Sequence, residues 1–378
     1  MEKNKEKGNI DYRFKILYAI GAILVVEGHF GGDGANFFAN FFPLYSFHLA
    51  LFMFASGYLY DHNSEKAVLK YILKKIKRLL VPLYLWNLFY AVVILVTHKM
   101  GFTIGEPVSF ETIFLAPIYD GHQFAYNMGG WFIIPLFMVQ IYHVLFRKII
   151  SALTDKKNEA VIFGFHLLLG MWGVYIASIG LHEGWWLVLT RMLYFVPFYG
   201  LGILYKSKLE CWDRKIPNFW YFAIVLTIQC AIIMICGEAP SYVPSWCSNF
   251  DNGVILPFVA GTIGIAFWFR IVNILEPILG KSKIINTIAD NAYSIMINQF
   301  VGAMMLKFVF YFIQRQTSFC ADFNKEEFLS NIWYRYYPMG TEQTFIFFIA
   351  AGIFVPIIMQ YMVNWFLKKW KSCKAGIR

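Results

Sequence analysis

Ten apolar runs alternate with short polar segments along almost the whole chain, over residues 16–30, 41–60, 79–96, 130–150, 160–181, 185–205, 219–236, 254–269, 292–313 and 344–367. A helix crossing the roughly 30 Å hydrocarbon core needs about twenty such residues, so each run is read as one membrane span. The expected fold class is all-α: a polytopic transmembrane helical bundle of about ten spans. It fills residues 16–367 as a single domain, between a tail of residues 1–15 and a basic tail of residues 368–378. The first run is short, and its helix is expected to reach back toward Asp11. Its basic flank and apolar centre invite a signal-peptide reading. Glu27 and His29 stand where small residues should mark cleavage, so it is taken as an uncleaved helix.

The lysines and arginines orient this bundle. Segments 1–15, 61–78, 147–158, 206–217, 270–290 and the residues after 367 hold 27 of the 33, and all share one side. Only Lys99, Arg315, Lys325 and Arg335 fall on the other, which puts both termini in the cytoplasm of a plasma membrane. Composition agrees: 58% hydrophobic, 20% aromatic and 15% charged residues describe a chain whose surroundings are a lipid bilayer. A net charge of +10 would suggest nucleic acid for a soluble protein. Here the basic residues fall in short clusters between spans, and nucleic acid is excluded as a partner. The six cysteines lack metal-ligand spacing, and no bound metal or cofactor is expected; an oxidising exterior would allow Cys247 and Cys320 to pair, although free thiols are the favoured reading.

Against this apolar background the ionisable groups are the candidate chemistry, because hydrocarbon penalises them unless they face a partner or a cavity. His29 ends the first helix. Glu27, two residues away, lies about 200° around the helix and cannot enter the same pocket, whereas Tyr18 and Lys15 share the face of His29. On the second helix His48, Phe52 and Ser56 form one stripe, and His48 starts at a depth similar to His29. Arg191 lies about two turns inside the sixth span and is expected to face the interior. Asn291, Ser294 and Asn298 make a polar stripe on the ninth that either lines a path or bonds to neighbouring helices. Lys307, near the outer end of that helix, is expected to snorkel.

Two loop regions add to this. Lys66, Lys70, Lys74, Lys75, Lys77 and Arg78 read either as a membrane-surface amphipathic segment or as a site for a polyanion such as nucleotide phosphates. Arg78 is nearest the bilayer, and a guanidinium grips phosphate bidentately. On the outer side Glu106, Glu111, Asp120, His122, Tyr126 and Trp131 suit sugar rings and hydroxyls, and suit an interfacial aromatic belt equally well.

These residues resemble the acyltransferase-3 membrane O-acyltransferases that acylate bacterial surface glycans. The resemblance runs through most of the chain: Leu-Val-Val-Glu-Gly-His29, then Ser-Phe-His48-Leu-Ala-Leu-Phe-Met-Phe-Ala-Ser-Gly57, then Lys77-Arg78-Leu-Leu-Val-Pro82, then Gly-Gly-Trp131-Phe, the stretch from Arg191 to Gly202, and Tyr-Ser-Ile-Met on the ninth helix. The second of these is the most specific. Two positions depart from the family pattern: Tyr18 stands where a basic residue is usual, with Lys15 a turn earlier as its replacement, and Asn298-Gln299 stands where a histidine is common.

The resemblance implies transfer of an acyl group, most often acetyl, from cytoplasmic acyl-CoA to a hydroxyl of a surface glycan. His29 and His48 are then the catalytic candidates. Arg78, Lys15, Tyr18, Ser56, Trp131, Arg191 and Asn298 are the substrate-binding candidates. A neutral imidazole suits the proton transfer from a sugar hydroxyl. A transporter or flippase for a glycan or lipid is the alternative, and would use the same intramembrane polar groups as a binding path.

Overall fold

The computed structural model describes residues 10–31, 41–154 and 158–375; residues 1–9, 32–40, 155–157 and 376–378 lie outside the described residues. Among the described residues ten helices of 15 residues or more follow one another: α1 (Tyr12–Phe30), α2 (Leu44–Tyr58), α3 (Val68–Lys99), α4 (Met128–Leu153), α5 (Glu159–Ser178), α6 (Gly184–Asp213), α7 (Asn218–Cys236), α8 (Leu256–Leu279), α9 (Ala292–Gln316) and α10 (Phe345–Ala375). Eight of them, α3 to α10, are long and apolar enough to cross a membrane. The chain is an all-α, polytopic helical bundle.

The other two helices are the ones that carry the histidines. α1 includes Arg13, Lys15 and Glu27, and α2 has only 15 residues, so neither would be a stable span alone. Both are enclosed instead. α1 begins at Tyr12, capped by the Asp11 carboxylate, which accepts from the Arg13 backbone N–H. It packs against α2, α8, α9, α10 and the short helix Lys283–Asp290, burying Phe14, Ile16, Ala19, Val26 and Phe30. α2 lies along α6, and Gly57 makes that approach possible: a Cβ there would sit 2.0 Å from the Tyr199 carbonyl oxygen. Protein, not lipid, is the solvent for α1 and α2.

Several helix ends depart from the hydropathy pattern. α3 starts at Val68, not 79, so the basic stretch is the opening of the span itself. A proline ring clashes with the carbonyl four residues back, which for Pro82 is that of Arg78. The helix widens to a π turn over Ile76–Leu80, passes that point, and remains one body. α6, α8 and α10 run on to Asp213, Leu279 and Ala375, because hydropathy marks where hydrocarbon ends and not where backbone hydrogen bonding does.

One expectation is overturned. Lys307 does not snorkel: its side chain is fully buried and its ammonium donates to the Ile332 carbonyl at 2.9 Å, because residues 317–344 fold back over the end of α9. Cys247 and Cys320 are buried free thiols, not a disulfide. Each is held in its own neighbourhood, Cys247 donating to the Pro244 carbonyl and Cys320 bonded to Tyr336.

Candidate active site

The last turn of α1 and the first turns of α2 bring His29 and His48 to one small chamber of about 40 Å³. Trp131 and Phe132 at the start of α4, Met296 of α9, and Pro244 and Ser245 from the loop after α7 complete its wall. Tyr45 also lines it, its hydroxyl donating to the Gly28 carbonyl at 2.9 Å and its ring set edge-on to His48 at 5.2 Å. That bond ties the two histidine-bearing helices together.

The hydrogen bonds define which nitrogen of each ring is free. His48 Nδ1 lies 2.6 Å from the Leu44 carbonyl, which can only accept, so Nδ1 carries the proton. His29 Nδ1 lies 2.9 Å from Gln299 Oε1. The amide is oriented by its own nitrogen, which donates to the Met296 carbonyl at 3.1 Å, so Oε1 accepts from His29. In its neutral form each imidazole therefore presents an unprotonated Nε2, the arrangement a general base requires. The rings of Phe300 and Trp333 stand 5.1 and 5.6 Å from His29 and limit its tilt.

Arg191 faces the interior as expected, but it stands behind the chamber wall. Its guanidinium stacks 4.8 Å from the Trp131 ring, donates to the Asp120 carbonyl at 2.9 Å, and grips the Ser245 carbonyl. One buried cation thus joins α6, the Trp131 wall and the two loops that carry Asp120 and Ser245. Asp120 itself lies outside the spans. Burial alone would raise its carboxyl, yet the hydrogen bond and charge of His122, with the charge of Arg191, hold it below the ordinary carboxylate range. His122 in turn stacks on Trp246, rings 4.5 Å apart.

A second cavity, of about 360 Å³, lies toward the N-terminal end of α1. Tyr18, Ser56 and Arg78 all line it, with Lys74, Lys75 and Gln140. Ser56 Oγ accepts from Gln140 Nε2 at 2.7 Å. Arg78 also borders an open cleft with Lys66, Lys70, Lys74 and Lys77, so the cavity mouth is strongly basic. Lys15 is not among the lining residues: its ammonium is paired with Asp290, while Tyr18, at the family's basic position, is the residue that faces the cavity.

Asn298 lies in neither cavity. Tyr90 donates to its Oδ1 at 2.6 Å, its Nδ2 donates to Ser294 Oγ at 3.0 Å, and Ser294 donates to the Pro356 carbonyl at 2.9 Å. This chain ties α3, α9 and α10 together. Sequence reasoning assigned no role to Gln299, Tyr45, Phe132, Gln140 or Ser245. Gln299 sat in plain view beside Asn298, one helical step off the polar stripe, and only the proximity of α1 shows what it serves.

The acyltransferase-3 family profile, described as an acyltransferase domain, matches residues 11–360, and the chain belongs to that family of membrane acyltransferases. No curated protein and no solved structure matches it.

Proposed function

From that membership we propose that the protein moves an acyl group, acetyl first of all, from cytoplasmic acyl-CoA to a hydroxyl of an extracytoplasmic polysaccharide or lipid-linked glycan, in a bacterial plasma membrane. The observation that carries this reading is the pairing of two cavities along α1, one rimmed by Arg78 and lysines and the other holding two imidazoles with free Nε2 atoms. The separation fits the donor. Tyr18 and His29 are eleven residues apart, about 16 Å along the helix. An extended phosphopantetheine arm reaches on the order of 15–20 Å, judged as five or six extended residues. Phosphates held at Arg78 and Lys74 would leave the thioester at His29.

In the reaction the acceptor hydroxyl oxygen attacks the thioester carbonyl carbon while His29 Nε2 takes the hydroxyl proton. The tetrahedral intermediate collapses with loss of the C–S bond. The imidazolium returns the proton to the thiolate, leaving an ester and the CoA thiol. Gln299 holds His29 in the tautomer that this cycle needs. His48 Nε2 accepts from the acceptor and orients it, or shares the proton.

The test is purified protein with radiolabelled acetyl-CoA and surface polysaccharide from a deletion strain. The expected result is release of CoA thiol with label appearing as a base-labile ester on the glycan. Glycan movement across a membrane without CoA release would overturn this reading in favour of a transporter.

A further inference from the structure

The inner and outer cavities share no lining residue, yet they lie on the same faces of the same helices. On α1 the lining passes from Tyr18 to Val25, seven residues or two turns on. On α2 it passes from Phe52 to His48, and on α4 from Leu136 to Phe132, one turn in each case. Positions three, four or seven apart occupy one helix face, so the two cavities are sections of one path. What separates them is a pair of rings. Phe52 and Phe132 stand 6.1 Å apart, centroid to centroid, tilted at 57°. Phe52 is backed by Tyr18 at 5.8 Å, and the tip of its ring lies against Gly21 of α1, where an added Cβ would come within 2.7 Å of it. Phe132 is fully buried and backed by Phe195 at 5.3 Å.

Beyond these rings the space is small. A cavity needs roughly 10–15 Å³ of such volume for one water. The chamber of about 40 Å³ thus has room for only a very small group, on the scale of an acetyl. Resting on the acyl-CoA reading above, we propose that Phe52 and Phe132 form an acyl gauge: a constriction that the pantetheine arm threads, and a floor to the chamber that admits acetyl and excludes longer chains. Gly21 belongs to the same device, since the absence of a side chain there lets the Phe52 ring lie back against α1.

A pocket rejects an unaccommodated methylene by roughly 10–200-fold in kcat/KM. The experiment compares kcat/KM for acetyl-, butyryl- and hexanoyl-CoA, by thiol release, in the wild-type protein and in Phe52→Ala, Phe132→Ala and the milder Phe52→Leu. Expected is a wild-type preference for acetyl over butyryl of at least about tenfold. The hexanoyl-to-acetyl ratio should rise about tenfold or more in both alanine variants, with Phe52→Leu between. The ratio compares substrates on one preparation, so a loss of folded protein does not mimic the effect. Wild-type protein that uses hexanoyl-CoA as well as acetyl-CoA, or active variants that keep the wild-type ratio, would overturn the gauge and leave the acyl-CoA reading standing. Wild-type protein inert with every acyl-CoA would overturn both.

Discussion

His29 and Gln299 meet across the contact of α1 with α9, the imidazole Nδ1 2.9 Å from the amide oxygen, although 270 positions separate them in the chain. The amide cannot turn over without facing its oxygen to the Met296 carbonyl, so the tautomer of His29 is written into the packing of the two helices. His29→Ala should lower kcat by about 10²–10⁴, the usual loss for a positioned acid or base. Gln299→Leu removes only the orienting bond and should lower kcat by about tenfold, the equivalent of one buried hydrogen bond. Both are read as acetyl-CoA turnover in protein that elutes as a single species. Near-normal turnover in His29→Ala would remove it from the mechanism.

Arg78 and Lys15 should separate in their effects on the donor. Arg78→Gln should raise KM for acetyl-CoA several-fold, most visibly at low salt, where charge attraction is least screened. Lys15→Gln should leave that KM nearly unchanged, because its ammonium is held by Asp290 and does not line the cavity. Equal shifts in the two variants would contradict this assignment.

Arg191 should behave as the fastening of the chamber wall. Arg191→Met leaves the Ser245 and Asp120 carbonyls without their donor, at about 1–3 kcal/mol for each that stays buried. The expected readouts are a lower Tm and a raised KM for the glycan, with little change in donor KM. Arg191→Lys should not rescue, since an ammonium cannot span both carbonyls and stack on Trp131.

Tyr90, Asn298 and Ser294 should matter for stability alone. Interhelical hydrogen bonds in membranes average about 0.6 kcal/mol, with a ceiling near 1.7. Tyr90→Phe and Asn298→Ala should each lower stability by an amount in that range and show coupling in a double-mutant cycle. Donor and acceptor KM values should hold; a selective loss of acceptor affinity in Asn298→Ala would give it a binding role after all.

Orientation is open to direct measurement. A reporter active only in the cytoplasm, fused after the last residue of the chain, should report an inside C-terminus. A reporter active only outside, placed in the 102–127 loop, should be active too. The reverse pattern would invert the bundle and put Arg78 on the wrong side for acyl-CoA.

How much of this was legible beforehand depends on the kind of information involved. Hydropathy is a property of each residue with its near neighbours, and it located ten helices. Helical phase is equally local. It put Tyr18 on the face of His29 and set Phe52 and Ser56 in line with His48, and Tyr18, Phe52 and Ser56 do meet in one cavity. The rarity of ionisable groups in apolar helices singled out His29, His48 and Arg191 before any neighbour was known.

Neighbours are what the tertiary structure alone decided. A periodic pattern says which face of a helix is turned inward, but not which helix receives it. The partnership of His29 with Gln299, the capture of Lys15 by Asp290 and the burial of Lys307 under Ile332 all depend on lateral contacts across long stretches of chain. The same holds for Arg191, whose depth signalled an interior role while its acceptors lie in loops with no regular period. Packing distance decided the rest: whether two cavities join or are parted by a pair of phenylalanine rings depends on ångström-scale helix separations, which residue types and spacings do not carry.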